Sequence, residues 1–256
     1  MATIPTGRFV WFEYTSNDAR RAQAFFGELF GWGTTEVPAP QGSYTMITIG
    51  KDTTIGGYAA PPKGAHAHPY WLPYLQVASA KESAAKVKAQ GGKVATEPFQ
   101  VGDIATMAVL SDSLGGLFAV WQPAKVQDAG NWRGVDGSWC WNELYTQDPD
   151  RSVAFYRAIG GFGHDRMEMG EMGTYHLLTS DGQTRAGIMK APAPDVPQSW
   201  MPYVQVASAD ATHTRALKLG ATTRVPPTDI PNIGRFAILT DPLEAAIGIL
   251  QPSRGG

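Results

Sequence analysis

The chain has 256 residues, 43% of them hydrophobic, enough to bury one large core or two smaller ones. Its 21 Lys and Arg against 23 Asp and Glu leave a net charge of -2, so the charge balance points neither to nucleic acid nor to a basic partner. A single cysteine, Cys140, excludes an intramolecular disulfide and any CxxC metal or redox motif. No stretch approaches the roughly 20 apolar residues of a membrane helix, and the opening MATIPTGRFVWFEY lacks the basic and apolar regions of a secretory signal. A soluble cytoplasmic protein is expected.

The first predicted element is a strand, FVWFEYT, rich in aromatic and β-branched residues. A helix follows over SNDARRAQAFFGELFGW. Ser16, Asn17 or Asp18 can cap it, Ala22, Phe25, Phe26 and Leu29 fall at helical spacing, and Gly31 suits its C-terminal end. Three strands are expected next, around Gly33–Val37, Tyr44–Ile49 and Thr54–Ala60. A second round then begins: strand YLQVAS, helix AKESAAKVKAQGG, and strands KVATEPF, TMAVLSD and LFAVWQ. Each round reads β-α-β-β-β.

Past this point the chain repeats itself at a spacing of about 130 residues. Trp11, Glu13, Asp18, Arg21 and Phe25 meet Trp141, Glu143, Asp148, Arg151 and Phe155. WLPYLQVASA meets WMPYVQVASA, and IATMAVLSDSLGGLFAVWQP meets IGRFAILTDPLEAAIGILQP. The expected organisation is two copies of one domain, residues 1–124 and 139–256, joined by a polar linker at 125–138.

The words that recur resemble those of the vicinal oxygen chelate superfamily, which holds glyoxalase I, bleomycin- and fosfomycin-resistance proteins and extradiol dioxygenases. The resemblance rests on D-x-x-R-x-x-x-F-F/Y at Asp18–Phe26 and Asp148–Tyr156, on GW and GF after the helix, and on SDSLGG and TDPLEA before the last strands. It covers nearly the whole chain and is similar in detail to two-domain bacterial glyoxalase-like proteins. It implies an α+β fold of four βαβββ modules, paired into two cup-shaped domains by tandem duplication. It also implies a small-molecule ligand in each cup and, in the metal enzymes, an ion held by His and Glu/Gln.

Those ligands fall at the start of the first strand and on the last strand of each module. The matching first-strand positions are Trp11, Leu72, Trp141 and Met201. The matching last-strand positions are Ala119 and Gly248, and TTIGGYA and TRAGIMK hold no acid or histidine. None of these side chains supplies the N or O donors that the family's metals take. No metal and no other cofactor is expected.

Strand alternation places Trp11, Glu13 and Thr15 on one face, and Trp141, Glu143 and Tyr145 on its counterpart. By resemblance these faces point into the cups. Tyr74 and Gln76, and in the second copy Tyr203 and Gln205, lie opposite Val77 and Val206, which suit packing under a helix. The expected wall is Glu13 with Trp11, Tyr74 and Gln76, and Glu143 with Trp141, Tyr145, Tyr203 and Gln205. Tyr44 and Tyr175 also match and read as strand residues. Glu13 and Glu143 could act as general acid or base; equally, they could bond to tyrosines or arginines and hold the modules together.

The histidines build no site. His66 and His68 read as solvated loop residues, His164 and His213 as exposed, and His176 as strand polar surface. Cys140, on the face opposite Glu143, reads as a small core residue, and Glu244, after its turn, as exposed. Three functions stay open: a metal-independent enzyme using Glu13 or Glu143, a protein that binds or sequesters a small molecule, and a glyoxalase or dioxygenase drawing metal from other residues. A monomer or homodimer serves any of them.

Overall fold

A computed structural model of the chain describes residues 4–39, 42–61, 68–126, 134–170 and 173–253. His66 and residues 127–133 of the expected linker lie outside the described residues. Among these residues no helix is long and apolar enough to cross a membrane.

Four βαβββ modules follow one another. The first is β1 (Arg8–Thr15), α1 (Ala19–Phe30), β2 (Gly33–Ala39), β3 (Gly42–Ile49) and β4 (Thr53–Ala59). The second is β5 (Tyr70–Gln76), α2 (Ala80–Ala89), β6 (Lys93–Val101), β7 (Ala105–Ser111) and β8 (Leu117–Pro123). The third is β9 (Trp139–Thr146), α3 (Pro149–Gly160), β10 (Gly163–Glu168), β11 (Thr174–Ser180) and β12 (Gln183–Lys190). The fourth is β13 (Ser199–Gln205), α4 (Ala209–Lys218), β14 (Thr222–Ile230), β15 (Gly234–Thr240) and β16 (Ala246–Pro252).

Local chemistry explains these boundaries. Asp18 and Asp148 each accept a backbone N–H three residues on, satisfying a helix N-terminus, and Gly31 and Gly161 end α1 and α3 in the left-handed conformation at φ 74° and 69°. Ser79 and Ser208 cap α2 and α4 in the same way. Gln122 and Gln251, from the closing QP of the last strands, accept one further helix N–H each, from Ala80 and Ala209. The turn aspartates Asp112 and Asp241 each take two backbone N–H groups of their own turn, at 2.8–3.0 Å.

The strands form two eight-stranded sheets, β2-β3-β4-β1-β5-β8-β7-β6 and β10-β11-β12-β9-β13-β16-β15-β14. The second copies the order of the first, as tandem duplication requires. Within each module the first and last strands run parallel and the rest antiparallel. Edge strands β6 and β14 carry register shifts at matching places and prolines at Pro98, Pro226 and Pro227, which blunt them against further strand pairing.

By their internal contacts the residues fall into two compact units, each joining modules from different copies. One comprises residues 1–10, 72–130 and 141–200; the other comprises 11–71, 131–140 and 201–256. In the first, Tyr156 on α3 donates to Asp112 at 2.8 Å and accepts from the Trp200 indole at 2.8 Å, beside Phe118 and Phe155. Gln198 donates to the same Asp112 carboxylate. In the second, Tyr14 on β1 donates to Asp241 at 2.6 Å. Around Tyr14 gather Phe26, Trp32, Trp71 and Trp139 in edge-on and tilted contacts. The indoles of Trp32 and Trp139 donate to the carbonyls of Gly137 and Ile55, whereas buried Trp71 has no hydrogen-bond partner among the described residues.

Three side chains depart from expectation. His176 is buried rather than on the strand surface: it faces the same way as buried Leu178 and stacks on His164, with ring nitrogens 3.0 Å apart. His164 is correspondingly half-buried, and burial lowers its affinity for a proton, helped by His176, Arg157 and Arg166. Cys140 is half-buried at the edge of the core, with its thiol 3.4 Å from the Tyr203 carbonyl oxygen.

Candidate functional site

β1 alternates as its sequence requires. Phe12 and Tyr14 are buried on one side, and Trp11 and Glu13 are half-buried on the other. In register beside Glu13 on β4 stands Gly57, and beside Glu143 on β12 stands Gly187. Lacking side chains, these glycines leave a gap in the face. A tyrosine from the next strand crosses each gap: Tyr44 from β3 and Tyr175 from β11. A Cβ on Gly57 would sit 2.0 Å from the Tyr44 phenolic oxygen, and one on Gly187 1.8 Å from that of Tyr175.

The crossing tyrosine reaches the carboxylate. Tyr44 donates to Glu13 at 2.8 Å, and the Trp11 indole donates to the Tyr44 oxygen at 3.1 Å. Tyr175 donates to Glu143 at 2.5 Å and accepts from Trp141 at 2.8 Å. The result is one relay, indole to phenol to carboxylate, built twice. Hydrogen bonds to a charged acceptor are the strong kind, on the order of 1.5–3 kcal/mol each. Both phenols hold their protons far above the ordinary tyrosine range, because burial disfavours the phenolate and the adjoining glutamate charge disfavours it further. They are therefore donors at any ordinary pH.

A second phenol stands near each relay, from different places in the two copies. Tyr70 at the start of β5 lies near Thr15 and Glu13, its proton affinity raised first by burial. In the second copy Ser199 takes that place, and Tyr145 on β9, where the first copy has Thr15, comes near Tyr175.

The remaining expected wall residues have other attachments. Gln76 is buried and donates to the Pro5 carbonyl at 2.7 Å, tying down the N-terminal segment. Gln205 donates to Asp136 at 3.2 Å. Tyr74 and Tyr203 are buried and pair in register with Ala119 and Gly248. The Tyr203 ring covers Gly248, where a Cβ would lie 2.2 Å from it. Tyr74 packs near Trp121, with ring centroids 6.1 Å apart. Tyr74 and Gln76 belong to one compact unit and Glu13 to the other, and the same division separates Glu143 from Tyr203 and Gln205.

Sequence reasoning passed over the part played by Tyr44 and Tyr175. A signal was available: each copy keeps a glycine inside its fourth strand, and a strand-interior glycine often marks the close approach of another group.

A repeated βαβββ module, two matching sheets and a glutamate face in each copy define a glyoxalase-like protein. Residues 8–50 match the family model for bleomycin resistance protein-like N-terminal domains, and residues 141–248 match that of the Glyoxalase/Bleomycin resistance protein/Dioxygenase superfamily. The protein CFP32 of Mycobacterium tuberculosis, named as a glyoxylase, is 34% identical over 247 residues, covering 95% of this chain and 94% of its own. The anthracycline biosynthesis protein DauV of a Streptomyces species is 31% identical, covering 98% and 95%. Among solved structures, the Mn(II)-bound glyoxalase of Novosphingobium aromaticivorans superposes with a TM-score of 0.65 at 17% identity, over 96% of this chain and 82% of that one. The 2,3-dioxygenase LapB of Pseudomonas gives 0.65 at 11%, over 99% and 94%. The chain belongs to the glyoxalase/bleomycin resistance protein/dioxygenase superfamily.

The superfamily's metal enzymes take ligands from the first and last strands of their modules, and the residues here do not fit such a site. Trp11 and Trp141 offer only N–H donors, both engaged by tyrosines. Leu72, Met201 and Ala119 are buried and bring no oxygen or nitrogen donor, and Gly248 lies under a ring. Among the described residues no three His, Cys, Asp or Glu side chains gather.

Proposed function

We propose that this chain binds a small planar organic molecule against the Glu13 face and the Glu143 face, with the glutamate serving as proton acceptor and donor to the bound molecule. The observation that carries the reading is the duplicated relay. A carboxylate held by a phenol that is itself held by an indole is fixed in orientation, as a general base must be. The surrounding indole and phenol groups supply flat, amphipathic surface for an aromatic ring. The relative named for anthracycline biosynthesis agrees with an aromatic ligand. On this reading each copy, 1–124 and 139–256, carries one such face, and the protein works in the cytoplasm as a monomer or homodimer without nucleic acid or membrane.

Binding without chemistry is the second reading. It is favoured by the depth of Glu143, only 6% exposed, where a carboxylate can anchor as readily as it can react. A thermal-shift panel that includes hydroxylated anthraquinones separates the outcomes. Glu13→Gln and Glu143→Gln are expected to keep the melting temperature within a few degrees and to abolish conversion of any ligand found. Retained conversion in both variants and in their combination sinks the acid–base role. Unchanged conversion with a large stability loss would mark the carboxylates as scaffold.

A further inference from the structure

The four modules share a device that their sequences disguise. In each, the last strand carries a residue with little or no side chain opposite a fixed position of the first strand: Gly57 opposite Glu13, Ala119 opposite Tyr74, Gly187 opposite Glu143, and Gly248 opposite Tyr203. Beside or above each lies a tyrosine. In the leading modules it crosses from the third strand, as Tyr44 and Tyr175. In the trailing modules it is the first-strand residue itself, Tyr74 or Tyr203.

We infer that these tyrosines close off the space a metal ion would need: Tyr44 and Tyr175 hold the glutamates by hydrogen bonding, and neither glutamate face binds a divalent cation. Three observations converge on this. Three of the four last-strand positions cannot regain a ligand by substitution alone, since a Cβ at Gly57, Gly187 or Gly248 would lie 1.8–2.2 Å from the covering tyrosine. The first-strand indoles are committed to the same phenols. The phenol oxygens are already engaged, each donating to its glutamate and accepting from an indole. Among the described residues no three His, Cys, Asp or Glu side chains gather at either face, short of the three or more N, O or S protein donors that Mn, Fe, Ni or Zn sites use.

The inference goes beyond the proposed function, which requires only that the carboxylates face a ligand. Its test uses the full-length, untagged chain produced in medium supplemented with Mn, Fe, Ni and Zn. Elemental analysis is expected to find fewer than about 0.1 ions per chain, and titration with each ion to leave the melting temperature unchanged. Roughly one ion per chain or more that disappears in the Glu13→Gln/Glu143→Gln double variant would overturn the inference. An ion retained by that double variant sits elsewhere, at His164 and His176 for example, and upholds it. Ligand binding, measured separately in metal-free buffer, decides the proposed function whichever way the metal result falls.

Discussion

One buried hydroxyl, and its absence in the other copy, illustrate how single residues hold this fold. Tyr156 links Asp112 and Trp200, while its counterpart in the first copy, Phe26, has no hydroxyl. Trp71, counterpart of Trp200, accordingly lacks a partner for its indole N–H among the described residues. Tyr156→Phe should therefore strand the buried Trp200 N–H, remove one donor from Asp112, and cost about 1–3 kcal/mol in a urea melt. Phe26→Tyr should give Trp71 its acceptor and either raise stability or leave it unchanged, provided the added hydroxyl fits the packed ring cluster. Equal losses from the two substitutions would show that packing, not hydrogen bonding, governs both sites. The sequence marks Phe26 and Tyr156 as helix core by their spacing. It does not disclose the hydrogen bonds, since each partner lies in a distant stretch of chain and is brought close only by packing.

At the scale of elements, the reach of a β3 side chain over β4 gives the sharpest test. Gly57 and Gly187 have ordinary strand dihedrals, so an alanine there should stabilise the chain by roughly 0.4–1 kcal/mol through the unfolded state alone. The phenol reverses the sign. The new methyl must displace Tyr175 or Tyr44 and break its bond to glutamate, and Gly187→Ala is expected to destabilise by about 1–3 kcal/mol in chemical denaturation. A gain in stability would show that the phenol rests there without consequence. The order of elements along the chain, the helix caps of α1 and α3 and the β-α-β-β-β rhythm were legible in the sequence because each depends on local spacing. The placement of Glu13 and Glu143 on one face with Trp11 and Trp141 was legible from alternation. The crossing was not, because period-two alternation says which way Tyr44 points but not how far its side chain travels when a neighbour is missing.

For the molecule as a whole, buried phenols tie stability to alkaline pH. Tyr14, Tyr44, Tyr58, Tyr156 and Tyr175 all have proton affinities raised first by burial. A folded-state value above the unfolded one means that the stabilisation is complete below the ordinary tyrosine value and is lost as pH rises beyond it. Stability should be insensitive to these groups up to about pH 10 and fall steeply above it. The tyrosinate absorbance of these five should then appear together with unfolding rather than before it. A gradual titration of all the tyrosines in the folded chain would contradict the burial described. The tandem repeat was the most legible feature of all, whereas the two compact units were not. Each draws modules from both copies, and a repeat reveals what its parts are without revealing which parts embrace.

The exchange of hydroxyls between Tyr14 and Tyr156 also bears on ancestry. A common ancestral module held one residue at the strand position and one at the helix position. The first copy now keeps its phenol on the strand, with Phe26 on the helix; the second keeps it on the helix, with Leu144 on the strand. Either phenol ends on a turn aspartate. A turn aspartate that loses its phenol keeps two backbone N–H donors, so a copy could trade the strand phenol for the helix one without leaving a buried carboxylate unpaired on the way.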